Sequence, residues 1–331
     1  MKKPLRKIVV LYNAPAGNDA DDVDTQKSAL GVVEGLHQAG YQSEAVGITK
    51  ENISRVKSIA ADLVFNLVEW VGLDYILGVE VIKTLEKTGL TYTGSRAWGY
   101  EVSCNKVLMK QLLVKNNIPT PKYVVVDKDF SPSQLATFKF PVIVKPSQEH
   151  AAIGISQASV CTDAENAVKQ ASKLVEEYQQ PALIEEFIDG DEAQVTVLEK
   201  NGSPWVLPPA VFRYQKKSGY WPINTYQAKW AMDHWEAKMS QWVEDEVLSA
   251  TTETMTDLAT KCYVHLGGRS YPRIDMRLGG DQVFVLEVNN NPGIDFDAES
   301  GIAVSARKVG LDWPGLLRNI VQEAYAGGAQ V

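Results

Sequence analysis

The sequence predicts a mixed α/β protein whose first part is an open α/β layer. Two observations predict this fold class. Apolar runs typical of buried strands alternate with helical stretches over roughly residues 1–97, which is the pattern of βαβ units. Further along, strand-like runs are joined by turns at Asn201-Gly202 and at Gly279-Gly280-Asp281, which predicts β-hairpins. The length of 331 residues suggests two or three subdomains.

The N-terminal layer alternates predicted strands with predicted helices. Strands are expected at Lys7–Tyr12, Tyr41–Ile48 and Ala61–Leu67, and helices from about Thr25 to Gln38 and over residues 75–88. The layer lacks a strand-linked GxGxxG motif, so we do not predict a dinucleotide site in it.

The rest of the chain is predicted to mix strands, helices and hairpins. Helices are expected at Asn105–Asn117, 163–178, 240–266 and Leu311–Ala326, and strands at Lys122–Val126, Phe140–Pro146, Ala182–Ile188, Glu192–Glu199 and Trp205–Leu207. Residues 212–238 follow no single period and combine tyrosines and tryptophans with lysines. Such a segment is typical of a functional loop, but also of an aromatic-rich surface loop that packs onto the fold.

Composition argues against several classes of protein. The net charge of −8 does not favour binding to nucleic acid or to an anionic membrane. Cys104, Cys161 and Cys262 are widely spaced, which argues against a disulfide framework or a zinc site and fits a reducing compartment. The apolar run Ile8–Leu11 behind the basic start is too short for a signal peptide or a membrane span. We therefore expect a cytoplasmic enzyme.

The strongest chemical signal lies in residues 273–293. Asp275 ends one strand-like run, and Glu287 and Asn289 lie two residues apart on the next, so their side chains leave the same face of a strand. A hairpin can bring Asp275 alongside them. Two carboxylates and an amide suit Mg²⁺, which takes its remaining ligands from water and substrate phosphates. The alternative is that the carboxylates are solvated strand ends and the asparagine-rich stretch is only a turn.

Other residues are candidate nucleotide contacts. Lys106 begins a predicted helix and Lys145 ends an apolar strand, where each could meet phosphate oxygens or be an ordinary surface charge. The small-residue loop Ser147–Ile155 could offer backbone N–H groups to a phosphate, or be a plain connection. The backbone of Glu185–Ile188 could face an adenine edge, with Glu192 accepting from ribose hydroxyls. The alternative is an exposed β edge with charges.

In this order, the motifs resemble those of ATP-grasp ligases of the D-alanine–D-alanine ligase type. The resemblance covers nearly the whole chain and is strongest over residues 62–123 and 140–310. The matching stretches are Phe65-Asn66-Leu67, Gly89–Ser95, Asn105-Lys106 through Lys110, Ile118–Tyr123, Val142–Ser147, Glu185–Ile188, Gly190–Glu192, Tyr226–Lys229, Arg273–Asp275, Leu286–Asn289 and Pro292-Gly293.

The resemblance implies an ATP-grasp fold with three domains. These are an N-terminal pre-ATP-grasp domain (1–97), a central lobe (98–185) and a C-terminal lobe with the metal and catalytic residues (186–331). It also implies ATP-dependent ligation of a carboxylate to an amine, on small amino-acid-like substrates, through an acylphosphate and giving ADP and phosphate. Mg²⁺, or Mn²⁺ in its place, is the implied metal, and a homodimer is the implied assembly.

The resemblance also implies roles for residues at matching positions. Lys106 and Lys145 would hold the α- and β-phosphates, and Glu192 would bind the ribose. Arg273 would stabilise the developing acylphosphate and oxyanion, Lys229 would close over the γ-phosphate, and Gly293 would offer a backbone N–H beside the oxyanion. The adenine would lie against Glu185, Glu186, Phe187 and Ile188. The metal ligands would be Asp275, Glu287 and Asn289.

Departures from the family pattern cluster where the amino-acid substrates bind. The family has a Gly-Gly-x-Ser-x-Glu loop whose glutamate holds the first substrate's ammonium, and residues 11–22 take its place here without a carboxylate at the motif position. Glu69 stands where the family has a histidine. Trp230 replaces a smaller ring, and the loop Ile294–Ser300 is about two residues longer and acidic. The phosphate loop of the family, Glu-Gly-Ser-Ser, is replaced by Glu149-His150-Ala151-Ala152.

These departures predict substrates other than two D-alanines. The additional carboxylates Glu69, Asp295, Asp297 and Glu299 favour an ammonium-bearing or cationic substrate, although they could be solvated loop charges. Three other functions remain open: D-alanine–D-alanine ligase activity itself, a phosphotransferase on the same fold, and a nucleotide-binding regulatory protein. Retention of the metal residues and Arg273 counts against the last.

Overall fold

The computed structural model describes residues 4–14, 20–69, 76–243, 249–296 and 300–327. The described strands form three sheets, of three, four and six strands. We call them the N-terminal, central and large sheets. The division into three domains stays a prediction.

The N-terminal sheet is parallel, with the order β2–β1–β3. Its strands and helices are β1 (Lys7–Asn13), α1 (Ala20–Gln38), β2 (Gln42–Ile48), β3 (Leu63–Leu67) and α2 (Ile76–Thr88). Every residue of β3 is buried, as expected for a parallel strand covered by helices on both faces. The βαβ prediction is thus correct, although α1 begins about five residues before the predicted position.

The central sheet is antiparallel, with the order β4–β7–β5–β6. This part of the chain contains α3 (Ala97–Cys104), α4 (Lys106–Lys115), β4 (Tyr123–Val126), β5 (Val142–Pro146), β6 (Val160–Cys161), α5 (Ala164–Tyr178) and β7 (Ala182–Glu186). The Asn105 side chain caps α4 by accepting from Leu108 N at 3.0 Å, and Asp163 caps α5. These caps explain why both helices begin where predicted.

Helix α3 was not predicted. Six of its eight residues are buried, so it lacks the one-sided apolar pattern that marks a surface helix. Gly99 packs backbone to backbone against Gly267, since a Cβ on Gly99 would lie 2.4 Å from Gly267 O. A glycine is therefore required at this contact.

The large sheet has the order β11–β10–β8–β12–β13, and β9 pairs with β8. The elements are β8 (Glu192–Lys200), β9 (Ser203–Val206), β10 (Ala210–Tyr214), α6 (Tyr226–Trp230), β11 (Ser240–Val243), α7 (Ser249–His265), β12 (Arg273–Gly279), β13 (Gln282–Asn289), α8 (Gly301–Lys308) and α9 (Trp313–Gly327). The helix predicted over 240–266 is wrong at its start, because residues 240–243 pair with β10 as a strand. Helix α8 was not predicted.

Polar contacts join the end of β13 to α3, which shares a hydrophobic core with the N-terminal sheet. Asn290 Nδ2 donates to Gly99 O at 2.8 Å and to Leu266 O at 2.7 Å. Arg269 donates to backbone carbonyls within residues 92–94. A buried amide and a partly buried guanidinium that bind backbone carbonyls hold the two regions together. No helix among the described residues has the length and apolar character that a membrane crossing requires.

Candidate active site

A cleft of about 940 Å³ brings together most of the residues singled out in the sequence. Its lining includes the predicted Lys106, Lys145, Glu192, Lys229, Arg273, Asp275, Glu287 and Gly293. Charged side chains that converge in one concave site are the usual sign of a binding or catalytic centre.

The hairpin β12–β13 carries the predicted metal ligands on one face. Asp275 lies opposite Glu287 in the strand ladder, and Arg273 lies opposite Asn289, so the four side chains are neighbours. Arg273 Nε and Nη2 donate to the two oxygens of Asp275 at 2.8 and 2.9 Å. Asn289 Nδ2 donates to Asp275 Oδ2 at 3.0 Å. The convergence expected from the hairpin is therefore present, while metal ligation stays a prediction.

The two carboxylates of the hairpin differ in electrostatic environment. Burial raises the pKa of Asp275, although the Arg273 guanidinium acts against this. Burial also acts to raise the pKa of Glu287. The Lys106 ammonium and the hydrogen bond from His150 outweigh this effect and hold the pKa of Glu287 well below the ordinary range. Lys106 Nζ lies 3.5 Å from Glu287 Oε1, and His150 Nδ1 lies 3.3 Å from the same oxygen.

His150 is a buried histidine on the loop after β5. Burial lowers its pKa to about 4, and the nearby Lys106 charge acts in the same direction. The imidazole is therefore neutral near pH 7. Its ring meets Glu287 as a neutral hydrogen-bonding group, in a loop that lacks the hydroxyls of the family pattern.

The Glu185 side chain is buried in an ion-pair network, and its place against adenine stays a prediction. It is 1% exposed, and its Oε2 lies 2.8 Å from Lys145 Nζ while its Oε1 lies 3.3 Å from Lys110 Nζ. Burial acts to raise the pKa of Glu185, but the two ammonium groups outweigh it and lower the pKa. Glu185 is therefore a buried ionised carboxylate that holds Lys145.

The backbone of the following residues is also committed elsewhere. Glu186 N donates to Lys122 O at 2.9 Å and Phe187 N donates to Pro141 O at 3.1 Å. These two N–H groups are therefore used within the fold, and the contact of the Glu185–Ile188 backbone with adenine stays a prediction. Glu186, Phe187 and Ile188 line a second cavity of about 590 Å³.

Glu192 belongs to a row of polar side chains on β8. Its carboxylate pairs with the buried guanidinium of Arg277, whose Nε donates to Ile188 O at 2.9 Å. Gln194 and Thr196 follow at every second position, lie opposite Asp275 and Arg273 in the ladder, and line the same cleft. Sequence reasoning missed these two residues, although a polar side chain at every second position of an apolar strand could have revealed them.

Lys229 projects into the cleft from α6. Its side chain is open to solvent within the cleft, yet protein surrounds the ammonium on most sides. This desolvation, together with the nearby Arg273 charge, lowers the pKa of Lys229. The next residue is anchored, because Trp230 Nε1 donates to Ala151 O at 3.0 Å.

The aromatic segment is also held to the central sheet by Gln157. Its side-chain amide accepts from Trp221 N at 2.7 Å and donates to Trp221 O at 3.2 Å. Thr225 Oγ1 donates to the buried Glu236 at 2.6 Å. Residues of the 212–238 segment therefore line the cleft and make specific hydrogen bonds to Ala151 and Gln157.

The end of the cleft that contains Glu69 is formed by chain ends of the N-terminal layer and of the hairpin. Asn13 accepts from Glu69 N at 2.7 Å and donates to Glu69 O at 3.3 Å, which fixes the backbone from which the Glu69 carboxylate reaches into the cleft. A Cβ built on Gly293 would lie 3.6 Å from Glu69 Oε1. Asp295 also lines this end. No sequence motif predicts a role for Asn13. Asp297 and Glu299 lie outside the described residues.

Comparisons with known proteins show the family to which the chain is similar. The family model described as "D-ala D-ala ligase C-terminus" matches residues 112–322. A D-alanine–D-alanine ligase of Moorella thermoacetica is 31% identical over 327 residues, covering 96% of this chain and 99% of the relative. One from a Marinomonas species is 32% identical, covering 98% of each. The crystal structure of D-alanine–D-alanine ligase from Bacillus anthracis has a TM-score of 0.79 at 19% identity, covering 99% of both chains.

The fold and the cleft together define an ATP-grasp enzyme that forms C–N bonds. The chain belongs to the D-alanine–D-alanine ligase family. It is an ATP-dependent carboxylate–amine ligase that uses ATP and Mg²⁺. The family, the fold class and the ligase chemistry predicted from the sequence are thereby confirmed, whereas the roles of individual residues stay predictions.

Proposed function

We propose that this ligase joins two amino-acid-like substrates of which at least one carries a positive charge that D-alanine lacks. The observation that carries the proposal is the Glu69 carboxylate, which lines the cleft close to Gly293. A carboxylate at this point attracts an ammonium or guanidinium group and repels a substrate carboxylate. The family pattern has a histidine at this position, so an anion replaces a neutral or cationic imidazole.

The nucleotide would be held at the other end of the cleft. Lys106 and Lys145 would bind its α- and β-phosphates. Lys229, on α6, would bind the γ-phosphate. Glu192 would accept from the ribose while its other contacts hold Arg277. These roles are supported by the position of all four side chains on the wall of one cleft and by the preference of phosphates for such cations.

Asp275, Glu287 and Asn289 fit Mg²⁺. Two carboxylates face each other across the ladder and the amide touches one of them, which is a hard oxygen set. Counting only His, Cys, Asp and Glu, the described residues hold no group of three arranged for a metal, and we assign the third protein ligand to the amide oxygen of Asn289. Bound Mg²⁺ would neutralise the phosphate oxygens.

The chain's own residues would then position and stabilise the reaction. A substrate carboxylate attacks the γ-phosphorus, ADP leaves, and the acylphosphate forms. An amine attacks the carbonyl carbon, and phosphate leaves with the C–O bonding pair. Arg273 is the donor aimed at the charge that develops in both steps, and Asp275 fixes its orientation. The covering segment that carries Lys229 would keep water from the acylphosphate.

We further propose a cytoplasmic enzyme that assembles as a homodimer. The three cysteines are free and buried, which fits a reducing compartment. The apolar side chains Trp98 and Val264 are 50% and 61% exposed, and Trp98 lies next to Gly267. Light scattering of the purified protein would give one or two chains per particle and so decide the assembly.

The proposed substrate class is tested by a phosphate-release screen. Pairs of amino acids and amines, each member neutral, acidic or basic, are incubated with ATP and Mg²⁺, and mass spectrometry identifies the product. Pairs that contain a basic member should give the highest rates, and EDTA should abolish every rate. Efficient joining of D-alanine to itself, with no better pair, would refute the proposal and assign the parent activity. ADP formation without any need for an amine would instead identify a phosphotransferase.

A further inference from the structure

We propose that Lys110 is a positioning residue for ATP, which acts through Glu185 to keep a net positive charge at Lys145. The inference rests on the proposed function in one respect, namely that Lys145 meets the nucleotide phosphates. It assigns a role to a lysine that does not line the cleft and that the ligase chemistry does not by itself require.

The geometry is that of a buried bridge. Lys110 is fully buried on α4, and Glu185 is 1% exposed on β7. Glu185 presents one oxygen to Lys110 at 3.3 Å and the other to Lys145 at 2.8 Å. Of the two lysines, Lys145 lines the cleft. Burial of two ammonium groups around one carboxylate is costly, so a simple packing position would be better filled by an apolar side chain.

The charges of the three groups decide what the bridge does. One carboxylate between two ammonium groups leaves a net charge of about +1, and the member in the cleft is Lys145. Without Lys110, Glu185 would neutralise Lys145 completely, and the phosphates would meet a neutral pair. The charge of Lys110 therefore balances the charge of Glu185. Glu185 can then hold Lys145 in place without cancelling its attraction for an anion.

The bridge also reaches the strand that carries Glu287. Lys110 Nζ donates to Thr120 Oγ1 at 2.7 Å, and Thr120 Oγ1 donates to Val285 O at 2.8 Å. Val285 belongs to β13, two residues before Glu287. Lys110 thus contacts the central sheet directly and the large sheet through one hydroxyl, on the two sides between which the phosphates would lie.

The test is ATP binding by calorimetry, without amino-acid substrates. Lys110→Met should weaken ATP binding roughly tenfold or more, as expected for the loss of one net charge near the phosphates. Adenosine, which lacks phosphates, should bind as it does to the wild type. Lys83→Met, which breaks the exposed pair between Lys83 and Glu101, is the matched control and should leave ATP binding unchanged.

A double variant separates charge balance from packing. Lys110→Met with Glu185→Gln removes one charge of each sign and leaves Lys145 with its full charge, so ATP affinity should return to within about threefold of the wild type. If Lys110→Met does not fold, as judged by circular dichroism, the double variant alone decides, since the one ammonium group that it leaves, that of Lys145, lines the cleft and can meet solvent there. A double variant that binds ATP as weakly as the single, or more than tenfold more weakly than the wild type, would overturn the proposal. Failure of the basic-substrate screen would leave this result untouched, because the assay contains no amino acid.

Discussion

The nucleotide side and the substrate side of the cleft hold their charged groups in different ways. On the nucleotide side, Lys145, Asp275 and Glu287 lie on strands, and each is paired across a ladder or with a neighbouring element. On the substrate side, Glu69 lies two residues after β3 and Asp295 six residues after β13, each close to a part of the chain outside the described residues. The family pattern is kept at the strand positions of Lys145, Asp275 and Glu287, whereas most departures lie in loops, with Trp230 on α6 as an exception.

The largest expected effect lies on the nucleotide side, at Arg273. Arg273→Lys should lower kcat roughly ten- to a thousandfold while ATP affinity stays near the wild-type value, because a lysine cannot both satisfy the two oxygens of Asp275 and offer donors to the developing charge. Steady-state kinetics and nucleotide titration measure the two quantities.

The control for this change is Arg213→Lys, since Arg213 pairs with Asp191 at a more exposed site and should tolerate the substitution. Equal losses of kcat and of ATP affinity in Arg273→Lys would break the comparison, because Arg273 would then act as a nucleotide anchor.

The next effect concerns the substrate side. Glu69→Gln should lower kcat/KM for a basic substrate roughly ten- to a hundredfold, as expected for the loss of one charge-assisted hydrogen bond worth about 1.5–3 kcal/mol. ATP affinity should not change. Glu44→Gln, in the exposed pair of Glu44 with Lys7 on the same layer, serves as the control. A loss shared equally by neutral and basic substrates would show that Glu69 acts only on the fold of the site.

A smaller effect is expected where the covering segment meets the phosphate loop. Trp230→Phe removes the hydrogen bond to Ala151 O, worth about 1 kcal/mol, and should speed proteolysis of residues 212–238 severalfold. ATP with Mg²⁺ should protect this segment in the wild type and less so in the variant. Identical cleavage rates with and without nucleotide would argue against gating by the segment.

The smallest expected effect is a pH dependence of stability. Burial lowers the pKa of Lys110 to about 8 from the ordinary value of 10.5. Between about pH 8 and pH 10.5, Lys110 is protonated in the unfolded chain but not in the folded chain. Lys110 therefore makes the free energy of unfolding rise with pH in this range. Urea titrations at pH 8 and pH 10 should show a smaller rise in Lys110→Met. The same rise in both proteins would contradict the lowered pKa.

The contrast between the two sides also explains what the sequence could predict. Asp275, Glu287 and Asn289 were found because strand periodicity and one hairpin fix their relation. The bridge through Glu185 was missed, since its partner Lys110 lies on a helix and meets it only in the tertiary structure. Helix α3 is not predictable from an amphipathic pattern, because most of its residues are buried. Strand β11 is not predictable from its own residues, because it forms by pairing with β10. The hydrogen bonds between Asn13 and the Glu69 backbone join residues that are 56 positions apart, so no local sequence pattern predicts them.

The buried amide of Asn290 has a mechanical consequence. It ties the end of β13 to Gly99 of α3, and α3 shares a hydrophobic core with the N-terminal sheet. We therefore expect the N-terminal and large sheets to move together as one jaw of the enzyme. The cleft can then open for a nucleotide only if the other jaw, which carries the central sheet, swings away. The pivot would lie near the contact of Lys110 with Glu185, where the two jaws meet. Crystal structures with and without nucleotide should therefore differ by a rotation of residues 122–186, with the two halves of the fixed jaw superposing throughout.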